Sequence, residues 1–162
     1  MAVKPIPKGY HTVTPYLVVE GAAKLIDFLK KAFDAKEKER MTRPDGGIMH
    51  AEVKIGDSML MMADAMGPYK PMPVTIYLYM KNTDAFYKRA LAVGATSAME
   101  PADMFWGDRN AGVKDAFGNQ WWIATRKENV SPKELKKRAL EYSKKQSLDS
   151  ARAGEPVEPQ KG

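Results

Sequence analysis

The sequence contains no cysteine. That excludes disulfides, a thiolate nucleophile and any cysteine-ligated metal. It also fits a reducing compartment. The opening Met1-Ala2-Val3-Lys4 leads into Pro5 and Pro7 with no apolar run of the signal-peptide kind, so a cytoplasmic protein is expected. No stretch approaches the ~20 apolar residues that a spanning helix requires, and no membrane association is expected. A large charge of one sign is missing where a fold would sit. The net charge is +6, but from Arg126 onward ten Lys or Arg stand against six Asp or Glu, and the preceding residues hold sixteen against fourteen. The basic excess lies in the tail and reads as solvated surface. With no RNP-like aromatic motif and no recognition helix, a nucleic-acid partner is not expected.

What is present suits a soluble globular chain. Its 162 residues are 44% hydrophobic and 28% charged, enough for one domain or two small lobes sharing a core. Val13 to Val19 is β-branched and aromatic and reads as a strand, with Pro15 tolerable near an edge or a start. Gly21 to Phe33 reads as a helix, because Leu25, Ile26, Leu29 and Phe33 recur at helical spacing. The run Arg43-Pro-Asp-Gly-Gly47 is a hairpin turn. Ile48 to Ile55 alternates cleanly, with Ala51, Val53 and Ile55 on one face and His50, Glu52 and Lys54 on the other. Gly56-Asp57 turns into a strand from Ser58 to Met62. Residues 63–73, with Gly67, Pro68, Pro71 and Pro73, form the best linker candidate.

The pattern then restarts. Val74 to Met80 reads as a strand and Thr83 to Val93 as a helix, capped by Asn82 or Thr83 and ended by Gly94. Short strands follow near Thr96 to Met99 and Ala111 to Asp115. Phe117-Gly118-Asn119 turns into a last strand, Gln120 to Thr125. Val13-Thr14-x-Tyr16-Leu17 returns as Val74-Thr75-x-Tyr77-Leu78, and the turn before Met59-Leu60-Met61-Met62 returns before Trp121-Trp122-Ile123-Ala124. Such a repeat predicts an α+β fold of two βαβββ modules, residues 10–66 and 73–126, in one domain over 10–130. Ser131-Pro132-Lys133-Glu134 is a capping box that starts a helix to about Gln146. Residues 147–162 are expected to be disordered.

This organisation resembles the vicinal oxygen chelate superfamily of glyoxalases, bleomycin-resistance proteins and dioxygenases. Three stretches resemble its PhnB-like branch: TPYLVVEGAAKLIDFLKKAF, HAEVKIGDSMLMMAD and FWGDRNAGVKDAFGNQWWIAT with its follow-on RKENVSPKEL. The resemblance implies a cup between two curved mixed sheets. It also implies a homodimer, and metal ligands on the first and last strand of each module. Carried onto this chain, those places fall at Thr14, Leu60 (Met61 if the register slips by one), Thr75 and Trp122. A hydroxyl, an alkyl group and an indole are poor ligands for a divalent metal. No metal or other cofactor is therefore expected, although a divalent ion at other residues is not excluded.

Strand alternation places Thr14, Tyr16, Leu60, Thr75, Tyr77, Tyr79, Gln120 and Trp122 on the cup's inner face, with Trp106 as a wall. Aromatic walls with sparse polar handles suit a small molecule, apolar or aromatic and with cations included. The expected function is metal-independent small-molecule binding of the bleomycin-resistance type. The alternative is an isomerase-, lyase- or dioxygenase-like enzyme in which His50 and Glu52 act as acid and base or as noncanonical metal ligands. Arg109 is a candidate grip on an anionic ligand, or else an anchor for its own loop. Trp121 is expected to face away from Trp122 and to pack on its module's helix.

Overall fold

The computed structural model describes residues 3–153. The first module comprises β1 (Tyr16–Val19), α1 (Ala22–Phe33), β2 (Lys36–Thr42), β3 (Ile48–Ile55) and β4 (Ser58–Asp64). The second comprises β5 (Thr75–Tyr79), α2 (Thr83–Ala92), β6 (Thr96–Asp103), β7 (Asp108–Lys114) and β8 (Gln120–Arg126). A terminal helix, α3 (Pro132–Ala153), follows. Each module forms a four-stranded mixed sheet, ordered β1-β4-β3-β2 and β5-β8-β7-β6. The repeat is visible in the pairing. Tyr16 lies beside Met61 on the parallel β1–β4 ladder, and Tyr77 lies beside Trp122 on the parallel β5–β8 ladder.

Both sheets turn one face toward the helices. The α1 stripe Leu25, Ile26, Leu29 and Phe33 is buried, as its spacing predicts, against Leu17, Val53 and Met62. The same cluster continues through Ala111, Val113, Trp121 and Ile123 of the second module. Two contacts join the modules directly. Phe33 and Trp121 stand 5.5 Å apart between ring centroids. Arg89 of α2 donates to the Asp34 carboxylate at 2.6 and 3.0 Å and to the Lys31 carbonyl at 2.8 Å, closing the end of α1.

Several boundaries differ from the sequence reading. β1 starts at Tyr16 rather than Val13, because Pro15 has no N–H to give the ladder. β2 went unread: KEKERMT is nearly all polar, as suits an exposed edge strand guarded by charge. β6 runs on to Asp103, with Pro101 accommodated on an edge beside a register shift. β7 begins at Asp108 and not at Ala111. The terminal helix passes Gln146 and continues to Ala153, so disorder from residue 147 is corrected; residues 154–162 of that expected tail lie outside the described residues. Tyr142 of α3 packs on Phe105 at 5.1 Å, and Arg138 holds Glu128 at 2.8 and 2.9 Å. This helix therefore braces the loop that carries Trp106. Among the described residues no helix is long and apolar enough to cross a membrane.

Candidate ligand-binding face

The free edges of β1 and β5 approach each other across a seam. Met72, in the segment leading to β5, donates its N–H to the Val18 carbonyl at 3.1 Å. Beyond that bond the edges part around a cleft of about 450 Å³, lined by Thr14, Met59, Leu60, Ile76, Tyr77 and Tyr79 among others. It meets residues from both faces of β5 because it opens between two strand edges.

On the first module, the face turned away from the helices carries Tyr16, Met61, His50 and Glu52. Tyr16 Oη lies 3.2 Å from His50 Nδ1, and His50 Nε2 lies 3.3 Å from Glu52 Oε1. Tyr10 joins this group: burial, then its hydrogen bond to Glu52, pushes its hydroxyl up to about 12. A separate hollow of about 430 Å³ lies beside Tyr16, lined also by Val18, Arg43, Met49, Met66 and Tyr69.

The corresponding face of the second module carries Thr75, Tyr77, Tyr79, Gln120 and Trp122, together with Asp108 and Asn110. The tyrosine rings stand 5.3 Å apart, and both hydroxyls donate to Asp108 Oδ2, at 3.3 Å from Tyr77 and 3.2 Å from Tyr79. Burial pushes the Tyr77 hydroxyl up to about 12, opposed by a hydrogen bond with Trp106 and reinforced by the Asp108 charge. Trp122 lies on Gly112, where any β-carbon would stand 2.7 Å from the indole. Glycine is therefore required there for the ring to lie flat. Trp121 points the other way and is fully buried. Its indole N–H donates to Asp115 at 2.9 Å, and its ring meets Phe33 of α1, the helix of the other module, in the cluster that also holds Tyr87 and Ala90 of its own helix α2.

The expected site residues thus fall into distinct places. Tyr77, Tyr79 and Trp106 converge on one polar nest. Thr14 reaches the seam cleft, and Tyr16, His50 and Glu52 form a group on the first module. Two expectations are corrected. Leu60 pairs with Val53 and turns to the helix side, where of the open surfaces it touches only the seam cleft, so Met61 takes its place on the open face. Arg109 also points to the helix side, because alternation from Asp108 and Asn110 turns it away. It is bound to Asp84 at 2.8 Å and Asp103 at 3.1 Å and serves its own loop. Asp108 and Asn110 were missed as site residues. Their signal was two polar residues two apart, hence on one face of a strand, leading into Ala111, Gly112 and Val113.

The comparisons agree with this architecture. A family model described as the Glyoxalase/Bleomycin resistance protein/Dioxygenase superfamily matches residues 10–123. The chain belongs to that superfamily. An uncharacterized protein of Mycobacterium bovis is 38% identical over 134 residues, spanning 76% of this chain and 88% of its own. An uncharacterized protein of Mycobacterium tuberculosis H37Rv has the same identity over 76% and 79%. TioX from Micromonospora sp. ML1 has a TM-score of 0.63 at 21% identity, covering 72% of this chain and 98% of that one. A PhnB protein from Bacillus cereus gives 0.57 at 16%, covering 71% and 99%. At such identities the structural neighbours speak to the fold alone.

The superfamily resemblance raises a metal, and the residues present do not fit one. Thr14, Met61, Thr75 and Trp122 stand at the positions it implies. They offer two neutral hydroxyls, a thioether and an indole lying on Gly112. Among the described residues no three of His, Asp and Glu converge as a ligand set, and His50 with Glu52 makes only two.

Proposed function

We propose that this chain is a metal-independent small-molecule binding protein of the glyoxalase/bleomycin-resistance superfamily, holding an apolar or aromatic ligand against the open face of the second module. The observation that carries the reading is Trp122, flat on Gly112 beside Tyr77 and Tyr79, where a metal enzyme needs a ligand. Rigid aromatic surface beside a few polar groups binds planar ligands and needs no reacting centre. The open faces and the seam cleft of one chain are shallow, and a second copy of the chain deepens the cup in this proposal. The reading is tested by a thermal-shift panel of aromatic metabolites in a chelating buffer, repeated on Trp122→Ala. Stabilisation by panel members that is lost in the variant supports it; no stabiliser, or stabilisers indifferent to Trp122, contradicts it.

The hydrogen-bonded run Tyr16–His50–Glu52 favours a second reading, an enzyme with His50 as the base and Glu52 orienting it. That reading requires turnover of a panel ligand and its loss in His50→Gln.

A further inference from the structure

We propose that the Asp108 carboxylate and the Asn110 amide oxygen form a head-group subsite for an organic cation bearing N–H donors, a primary ammonium or a guanidinium attached to an aromatic body. The inference rests on the binding reading above and names the chemistry its ligand must carry.

Asp108 is 5% exposed and Asn110 is 3% exposed, two residues apart on the same face of β7. Among the described residues, Asn110 Oδ1 is the buried side-chain acceptor without a hydrogen-bond partner. Its neighbours in register are Ala102 and Ala124, whose methyl side chains offer it no donor. Asp108 has donors on one oxygen alone. It has two tyrosine hydroxyls, at 3.2 and 3.3 Å, both on Oδ2. Charge-assisted O–H···O bonds close to about 2.5–2.7 Å when they are strong. No Lys, Arg or His among the described residues comes within 4 Å of this carboxylate. Arg126 is opposite it in the β7–β8 ladder, yet it makes no ion pair there.

A buried carboxylate normally has a cation, and a buried amide oxygen normally has a donor. Here both lack one, two residues apart on one face of β7, with Tyr77 and Tyr79 resting their hydroxyls on Asp108. A ligand carrying positive charge and several N–H groups satisfies both acceptors at once. The electron-rich faces of Tyr77, Tyr79 and Trp122 then accept the cation and its body. Two adjacent acceptors repel carboxylate and phosphate ligands. Two oxygens also fall short of the six to eight that a calcium ion takes.

The test is isothermal titration of the full chain with 2-phenylethylamine and with its uncharged counterpart 2-phenylethanol, on wild type, Asp108→Asn and Asn110→Leu. Asp108→Asn retains an acceptor for the tyrosine hydroxyls, and thermal unfolding verifies that each variant is folded. The amine is expected to bind at least about tenfold more tightly than the alcohol. Asp108→Asn should remove that preference, and Asn110→Leu should weaken the amine roughly threefold to tenfold while sparing the alcohol. Equal binding of the two probes to wild type, a preference that survives Asp108→Asn, or no detectable amine binding overturns the proposal. If Trp122-dependent stabilisers still emerge from the panel, only the cationic head group is lost. If none emerges, the binding reading falls with it.

Discussion

Asp64 and Thr125 occupy the same place in the two modules, near the end of the strand paired with each module's first strand. In the first module the Asp64 carboxylate accepts the N–H groups of Gly21, Ala22 and Ile48, each at 2.7 Å. In the second, the Thr125 hydroxyl accepts from Thr83 N–H at 2.9 Å and donates to the Met80 carbonyl at 2.9 Å. One backbone problem, the unsatisfied start of a helix, is solved by a charge in one module and by neutral groups in the other, where Asn82 also accepts the Ala85 N–H at 3.0 Å. The interiors differ in the opposite sense. Among the described residues, no polar side chain of the first module is buried. The second module buries Asp108, Asn110, Asp115 and Asn119. Asp115 is consumed by its turn: it accepts from the backbone of Phe117 and Asn119, the Asn119 amide and the Trp121 indole, all at 2.9 Å. Asp108 and Asn110 are not consumed in this way. In the binding proposal, the copy of the repeat that gathers under-satisfied polar groups is the one that meets the ligand.

The largest test of this comparison is in the core. Leu60 and Trp121 are repeat counterparts on the helix face. Trp121→Ala should cost about 4 kcal/mol, because it leaves a cavity against Phe33 and removes one of the four donors to Asp115; Leu60→Ala should cost about 3 kcal/mol. Urea unfolding should remain a single transition in both variants, since the continuous apolar cluster and the Arg89–Asp34 pair still join the modules. Separate unfolding of the first module would break the account of a shared core.

A smaller effect separates the two caps. Asp64→Ala should cost about 2 kcal/mol at neutral pH and Thr125→Ala about 1 kcal/mol. Burial raises the Asp64 carboxyl, but the N–H groups of Ala22, Ile48 and Gly21 and the Arg43 charge outweigh it, leaving it below the ordinary carboxylate value. A carboxyl depressed by folding stabilises the protein above its unfolded value, near 3.9, and loses that contribution as pH falls through the folded value. Acid should therefore narrow the gap between wild type and Asp64→Ala, whereas the penalty of Thr125→Ala should not change with pH. Parallel loss of stability in acid for both variants would remove the distinction.

Much of this was legible in the residues. The repeat, both module helices and the alternation of β3 follow from period and punctuation, because apolar stripes of that length have few other ways to be buried. The exposed strand β2 was not legible, since an edge made of charged residues carries no period. Nor was the one-residue choice between Leu60 and Met61. In Met59-Leu60-Met61-Met62 every side chain is apolar, so only the Val53–Leu60 pairing decides which face each takes. The two readings of Arg109, grip or anchor, could not be separated in the sequence because guanidinium suits anions anywhere. Its partners Asp84 and Asp103 come from other elements and become visible only in the fold. Trp121 and Trp122 were assigned to opposite faces correctly. What the sequence could not show was that the buried one reaches across to the other module.

The central claim is that Trp122 stands where a metal ligand would stand, and that the second module binds its ligand without one. Mass spectrometry of bound metal in protein purified without chelators, with thermal shifts in manganese, iron, nickel and zinc, tests it most directly. The account predicts substoichiometric metal and no stabilisation by any of the four. Near-stoichiometric metal with clear stabilisation would contradict it and would direct the search for ligands to His50 and Glu52.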